Sequence, residues 1–432
     1  MRVLLIATNR HNRLLSRMDA RPVPIGLAYV AAYIDQEKHQ VETLDLMFSG
    51  EDYLKEVAEK IKSFSPDLVG ISMRNLSNHS YVDPQWQLPI TRGVVNLIRE
   101  LSNAKIVCGG PAFSILPVEC FEYVSPDFGI VGDAGETFSE LVERLEIGEP
   151  SPENLPGLVY NDNGATINSN GRCSSTFDRL PDLARLDMQK YAGAGFGVGI
   201  LTKLGGFYYP TQSSNLGKTD PIWRIIRPID EVVNEVINMQ STYDLKKVFF
   251  IDNCFNAPLE HAKDLCRALI EANVSLRWNT CLGPFGCDTE LIGLMKRSGC
   301  GLVLMTSIGG DAHDGNNLEK DNGDLLDTCR MCEDSKLNYS ISQRFGGPGE
   351  TRSSVEEKLQ FLKQLDPALV NLRIGLSVMP GTPEAKLALD EGLISSESDL
   401  IEPTFYIEPE LREWLPNKLV LEAEQYPRWN VF

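Results

Sequence analysis

VETLDLMFSGEDYLKEVAEKIKSFSPDLVGISM, residues 41–73, decides the fold. VETLDL (41–46) and DLVGISM (67–73) are short strand-like runs, and EDYLKEVAEKIKSF (51–64) between them is built of strong helix formers with an apolar stripe. Strand, amphipathic helix and strand in so short a span is the repeating unit of a parallel sheet covered by helices. The pattern continues outward on both sides. VLLIA (3–7) and the helical PIGLAYVAAYIDQEKH (24–39) precede it. A helix near 90–102, KIVCGG (105–110), a helix near 117–124, FGIVG (128–132) and ETFSELVERL (136–145) follow. Residues 1–150 therefore predict an α/β domain with a doubly wound, Rossmann-like parallel sheet. Ligands of such sheets lie beyond the carboxyl ends of the strands, here the loops Thr8–Arg10, Arg74–Asn78, Gly109–Phe113 and Gly132–Glu136. Glycines in the last two loops let backbone approach a large ligand closely.

Residues 151–195 change character: PSPENLPGLVYNDNGATINSNGRCSS predicts a small hairpin turning at Asp162-Asn163-Gly164, and RLPDLARLD reads as a linker. A second α/β series starts near 196. Its strands are expected at 197–204, 247–252, 276–280, 301–307, 339–345 and 371–377, with helices at 229–240, 259–272, 288–298, 322–335 and 351–365. Six such units over 196–385 suit a partial (β/α)6 barrel of TIM type. Residues 386–432 form a C-terminal extension rich in aromatics and proline, expected to pack over one end.

Forty-one basic residues against 60 acidic ones give a net charge of −19, which argues against nucleic acid and against anionic membrane surfaces. No apolar run approaches the length of a membrane span, and MRVLLIATNR reads as a strand rather than a signal peptide, so the expected location is the cytoplasm. Ten cysteines are scattered without a disulfide framework. Cys329 and Cys332, with no second pair nearby, read as unrelated thiols rather than a zinc site.

Several stretches, in order, resemble the cobalamin-binding branch of the radical S-adenosylmethionine (SAM) superfamily. They are PVPIGLAYVAAYI, DLVGISMRNLSN, CGGPAFSILPVE, DFGIVGDAGETFSEL, KVFFIDNCFNAPLEHA, RFGGPGET and RIGLSVMPGTPEAKLALDEGLISSESDLIEPTFY. The last is the most distinctive, with Arg373, Pro380, Gly381, Thr382, Glu391, Gly392 and Pro403–Tyr406 in family order. The resemblance implies cobalamin and SAM as cofactors. Arg74 and Asn75 would lie near the lower corrin face, and Gly109, Gly110 and Pro111 would line the nucleotide-tail groove; Asn9, Arg10, Gly132 and Glu136 would complete the corrin site. The D-x-H-x-x-G motif that supplies an axial histidine elsewhere is absent, as in family members that bind the cofactor without one. For SAM, Asp252 and Asn253 would face the methionine amino group, Ser307 the ribose, and the Gly346, Gly347 and Glu350 turn the adenine, with Tyr208 nearby. His11 and His79, on loops of the ligand face, read as solvated side chains.

One stretch departs from the family. In TKLGGFYYPTQS (202–213) the register sets Gly206, Pro210 and Ser213 where C-x3-C-x2-C would hold a [4Fe–4S] cluster, and none of the three supplies a thiolate. Cys254, Cys281 and Cys287 are the one displaced trio on the expected active face. Cobalamin offers a route that needs no radical, through Co(I) and alkyl-Co(III) states. The expected function is thus a cobalamin- and SAM-dependent transferase of a methyl or other SAM-derived alkyl group without a cluster. It acts on a small-molecule substrate with an external reductant; cyclisation within SAM uses the same parts. The alternative is a non-catalytic cobalamin-binding partner or sensor on the same scaffold.

Overall fold

The computed structural model describes residues 1–10, 21–148, 154–169, 179–192, 197–205, 224–306 and 318–432. The chain divides into two compact units. Unit 1 comprises Met1–Asn78, Gln85–Lys190 and Ser398–Pro403; unit 2 comprises His79–Pro84, Tyr191–Glu397 and Thr404–Phe432.

The sheet of unit 1 contains β1 (Arg2–Ala7), β2 (Gln40–Asp45), β3 (Leu68–Ser72), β4 (Lys105–Gly109), β5 (Phe128–Ile130), β6 (Leu158–Asp162) and β7 (Ala165–Asn168) in the order β2-β1-β3-β4-β5-β6-β7. The first five pair in parallel. Val3–Ala7 is buried throughout, as a strand covered on both faces must be, which is why it reads as a continuous apolar run rather than an alternating one. Helices α1 (Ile25–Tyr33), α2 (Tyr53–Phe64), α3 (Leu88–Leu101), α4 (Pro117–Val124) and α5 (Gly135–Glu146) make the crossovers. Leu27 and Ala31 of α1 and Phe138 and Leu141 of α5 close one core over Val3, Leu5 and Ala7. β6 and β7 run antiparallel through Asn163 and Gly164, both at positive φ, the backbone that an Asn-Gly hairpin turn requires. The strand order reverses direction between β1 and β3, so the crevice of this doubly wound sheet opens at their carboxyl ends.

Unit 2 has a second parallel sheet of β8 (Val198–Ile200), β11 (Lys247–Phe250), β12 (Arg277–Cys281), β13 (Cys300–Thr306), β14 (Asn338–Phe345), β15 (Leu369–Ile374) and β18 (Trp429–Val431), in the order β18-β15-β14-β13-β12-β11-β8. Two small antiparallel pairs, β9 (Lys203–Gly205) with β10 (Arg224–Ile226) and β16 (Leu376–Ser377) with β17 (Phe405–Tyr406), flank it. Six strands in sequence order form the expected partial barrel. The C-terminal extension does more than pack over an end: Trp429–Val431 pairs with Val370–Leu372 as a seventh parallel strand. Three residues are too few for a strand pattern to stand out in the sequence. Cys329 and Cys332 are buried thiols of helix Leu318–Asp334, each pushed up to about 12 by burial. Among the described residues no helix is long and apolar enough to cross a membrane.

Candidate functional site

The carboxyl ends of β11 to β15 surround a cavity of about 440 Å³ within unit 2. Its chemistry is uneven. Thiols and backbone of β11 and β12 lie on one side, Cys254, Cys281 and Gly283 among them; two arginines, Arg344 and Arg373, lie on the other. Burial and the nearby Asp252 and Cys254 push the Cys281 thiol up to about 11, so it is protonated at neutral pH. Cys287 is pushed up to about 12 and its Sγ donates to the carbonyl of Gly283 at 3.3 Å. Asn256 shapes this loop: its Nδ2 donates to Phe285 O at 2.7 Å and its Oδ1 accepts from Gly283 N at 2.9 Å.

Arg344 and Arg373 are direct register partners on β14 and β15. Arg373 Nε donates to Ser342 Oγ at 2.9 Å, which fixes the guanidinium. Burial and the charge of Arg344 lower the pKa of Arg373. His79 also lines the cavity, with φ of 52° and Nδ1 3.4 Å from Ser377 Oγ. A backbone in that region is uncommon for a residue with a side chain.

In unit 1 the β1 and β3 loops meet at the crevice: Asn9 Oδ1 accepts the Arg74 N–H at 3.0 Å. The β3 and β4 loops are stitched together. Met73 N donates to Gly109 O at 2.8 Å and Ala112 N donates to Met73 O at 3.0 Å. Gly110 has φ of 99°, and a Cβ there would lie 2.7 Å from Met73 O. Ser114 Oγ donates to Gly110 O at 3.1 Å and accepts from Gly132 N at 2.9 Å, tying the β4 and β5 loops. The loops after three consecutive strands are thus tied to one another by hydrogen bonds.

A family model described as "B12 binding domain" matches residues 15–142. An uncharacterized methyltransferase of Pyrococcus horikoshii is 25% identical over 91% of this chain and 84% of its own length. Tryptophan 2-C-methyltransferase of Streptomyces laurentii is 21% identical over 83% and 70%. Among solved structures, the radical SAM methyltransferase TsrM of Kitasatospora setae, with cobalamin and a [4Fe–4S] cluster bound, superposes with a TM-score of 0.80 at 21% identity, covering 99% of this chain and 92% of that one. The same protein with tryptophan and a SAM analogue gives 0.79 at 20% identity, covering 99% and 90%.

Residues 15–142 match a B12-binding domain, and the fold is that of TsrM.

The structure brings together some of the residues singled out from the sequence and diverts others. Within unit 1, Asn9, Arg74, Gly109, Gly110 and Gly132 converge through the bonds just described, with Asn75 next along the β3 loop. Pro111 and Glu136 are exposed on the β4 loop and in the first turn of α5. Arg10 turns aside: its Nη2 donates to Gly50 O at 2.6 Å and its guanidinium lies 4.3 Å from the Tyr53 ring centroid. In unit 2 Asn253 lines the cavity, but Asp252 does not. Asp252 is buried, accepting from Thr202 N at 3.2 Å and from the Thr202 hydroxyl, with Lys203 Nζ at 3.8 Å; burial raises its pKa. Glu350 is likewise engaged, holding Gly346 N at 2.5 Å and Gly347 N at 3.1 Å and pairing with Lys358 at 2.7 Å. The two carboxylates expected to meet a cationic ligand serve the chain itself. Tyr208, Ser307, Gly206, Pro210 and Ser213 lie outside the described residues; Thr306, just before Ser307, lines the cavity. Arg344 was not legible as a site residue, and the sequence reading assigned His79 to solvent; the signal for both is position at a strand end or ligand-face loop.

Proposed function

We propose that this protein is a cobalamin- and SAM-dependent methyltransferase that moves the methyl group by polar chemistry, without a [4Fe–4S] cluster in the barrel. The observation that carries this reading is a ligand-sized cavity at the strand ends of a radical SAM fold, in a chain with no cysteine between Cys173 and Cys254. Cavities of roughly 300 to 1,000 Å³ are typical of sites for small molecules and cofactors. Relatives named as methyltransferases, and the likeness to TsrM with a SAM analogue and tryptophan bound, support the reaction class. The TsrM structure holds a cluster, so the cluster-free reading rests on this chain's own residues. The cavity thiol Cys281, raised to about 11, is a poor source of thiolate, and the C-x3-C-x2-C spacing is missing.

Bound cobalamin would supply a nucleophilic cobalt that takes a methyl group from the SAM sulfonium and releases it to a nucleophilic acceptor, with an external reductant to keep it competent. For this chain's part, Asn9, Arg74, Asn75 and the backbone of Gly109 and Gly110 would seat the corrin. Close packing of Gly110 against Met73 fixes the backbone of that turn in place. In unit 2, Asn253, Thr306 and Arg373 would orient SAM, and the apolar Leu282 and Leu304 would limit water near the sulfonium.

The test is anaerobic reconstitution of the full chain with hydroxocobalamin, followed by desalting, cobalt and iron analysis, and incubation with reductant, methyl-labelled SAM and candidate acceptors. Retained corrin absorbance, cobalt without stoichiometric iron, and label transfer that needs cobalamin are expected. A preparation that sheds the corrin, or one whose turnover scales with iron, sinks the proposal.

A further inference from the structure

His39, Glu143 and Glu146 gather in unit 1 at the amino end of β2, the opposite end of the sheet from the loops around the crevice. A ring nitrogen of His39 and one oxygen of each glutamate all lie within 4.8 Å of one another. Ligand atoms stand about 2.0 to 2.2 Å from a zinc-like ion, which puts neighbouring donors about 3 to 4 Å apart. The cluster is therefore close to ligating size before any ion enters.

The fold holds the three donors in place. His39 is 3% exposed, its N–H donates to Asp35 O at 2.9 Å, and the next residue, Gln40, opens β2 in register with Arg2 of β1. Glu143 and Glu146 are three positions apart on α5 and so share a face, while Phe138, Leu141 and Val142 anchor that helix in the core. His39 Nε2 lies 3.0 Å from Glu143 Oε1 and Nδ1 lies 3.9 Å from Glu146 Oε1, so each ring nitrogen faces a carboxylate. The His39 hydrogen bond, helped by the charge of Lys38, holds the Glu143 carboxyl below its usual range, and it is ionised at neutral pH. Two ammonium groups already stand at these oxygens: Lys38 Nζ is 3.5 Å from Glu143, and Met1 N is 3.1 Å from Glu146 and 3.2 Å from His39 Nδ1. The oxygens thus draw cations, yet each ammonium pairs with a single glutamate of the two. A divalent ion would take both carboxylates and an imidazole lone pair together, and Lys38 has Asp35 at 3.3 Å as its other partner.

We propose that His39, Glu143 and Glu146 form a binding site for a divalent transition-metal ion of the zinc class, which ties α5 to the start of β2. One nitrogen with two carboxylate oxygens suits such an ion better than magnesium or calcium, which favour oxygen alone. Three protein ligands leave a further position for water. One ring nitrogen takes the ion and the other keeps a hydrogen bond to the chain, the arrangement that orients ligating histidines. Binding displaces the two ammonium groups from the carboxylates and releases the proton of any protonated His39. The site stands apart from the cobalamin and SAM reading and does not rest on it.

The experiment is titration of the full-length chain, stripped with chelator and without added corrin, with Co2+ and then Zn2+, read by visible absorption and circular dichroism melting. Wild type should bind a single Co2+ with ligand-field bands and no thiolate charge-transfer band, lose that spectrum to Zn2+, and melt higher with either ion. Mg2+ at the same concentration should leave the melt unchanged. His39→Gln should abolish the tight site, and Glu146→Gln should weaken it at least about tenfold. Lys38→Ala separates this site from a plain ion-pair network: removing a competing cation should tighten the metal about 2- to 5-fold, the scale of an exposed ion pair. No tight binding, cobalt held only with a thiolate band, or an affinity unchanged by His39→Gln and Glu146→Gln would overturn the assignment. Where His39→Gln fails to melt cooperatively, Glu146→Gln decides, because it changes a partly exposed side chain to one of the same shape.

Discussion

Gly110→Ala tests whether the turn assigned to the corrin tail is held as tightly as its bonds imply. At φ of 99° an L-residue suffers backbone strain of about 1 to 2 kcal/mol. The new Cβ would also lie 2.7 Å from Met73 O and 3.1 Å from Met73 N. Neither atom is free to retreat, since Met73 N bonds Gly109 O and Met73 O accepts from Ala112 N. Relieving the overlap must stretch at least one of these bonds, at roughly 1 kcal/mol each. The total is about 2 to 3 kcal/mol. Gly148→Ala is the control: φ is 72° and nothing lies within 4 Å of its Cβ, so about 1 kcal/mol of strain remains, partly offset by the stiffer unfolded chain. Hydrogen exchange of the β3 and β4 amides reads the stability of unit 1 alone. A difference of about 1 to 2 kcal/mol between the variants corresponds to roughly a 5- to 30-fold difference in protection. Corrin retention should fall with Gly110→Ala and stay at the wild-type level with Gly148→Ala. Equal protection in the two variants would refute the claim that the turn is locked against the β3 loop.

Replacing Gly206, Pro210 and Ser213 with cysteine together should give a protein that takes up iron and sulfide on reconstitution, measured by metal analysis and visible absorbance; methyl transfer that improves in proportion to iron would count against cluster-free chemistry. Arg227→Met strands the buried Glu235, its partner at 2.6 Å, and should cost about 3 to 5 kcal/mol in urea unfolding. Burial raises the pKa of Glu235 and the charge of Arg227 opposes that shift, so removing Arg227 raises it further; the deficit of the variant should shrink as pH falls and grow as pH rises through that raised pKa. Alkylation of Cys281 by iodoacetamide, followed by peptide mass spectrometry, should quicken about tenfold per pH unit from 7.5 to 9.5 because its thiol titrates near 11; a plateau in that range would show a more acidic thiol.

The alternating pattern of 41–73 and its neighbours was enough for the parallel sheets, because central strands such as β1 and β3 are buried on both faces and the helices between strands bury one. It was enough also to name which loops lie at the carboxyl ends of the strands, since that follows from strand direction alone. What the sequence could not yield is register. Arg344 and Arg373 are 29 positions apart and become neighbours only because Ser340–Phe345 pairs with Leu369–Ile374 without a shift. A slip by one residue would have put them on opposite faces. Trp429–Val431 joined the sheet for a similar reason: three residues can pair with β15 without leaving a periodic signature. His79 looked like a solvated loop residue because nothing local reveals that its loop closes against Ser377, almost three hundred positions away.

The acidic residues are the more instructive case. A sulfonium ligand suggests carboxylate partners, so Asp252 and Glu350, both just past strand ends, were reasonable choices from sequence. A carboxylate at a strand end is also surrounded by the chain's own unsatisfied donors, and those are nearer than any ligand. Thr202 and Lys203 engage Asp252; Gly346, Gly347 and Lys358 engage Glu350. A buried carboxylate without such partners would be too costly to keep, so its burial and its internal bonding come together. The two cavity arginines are the reverse case, cations with no carboxylate within 4 Å among the described residues. The electrostatics of the cavity therefore favour the carboxylate end of a ligand over its sulfonium end. A sulfonium can be held by shape and by the absence of competing water, without a formal counter-charge beside it, and a methyl donor is more reactive when no carboxylate stabilises its positive charge. On this reasoning the uneven distribution of charge is suited to methyl transfer: the ligand is anchored at the end that does not react and left uncompensated at the end that does.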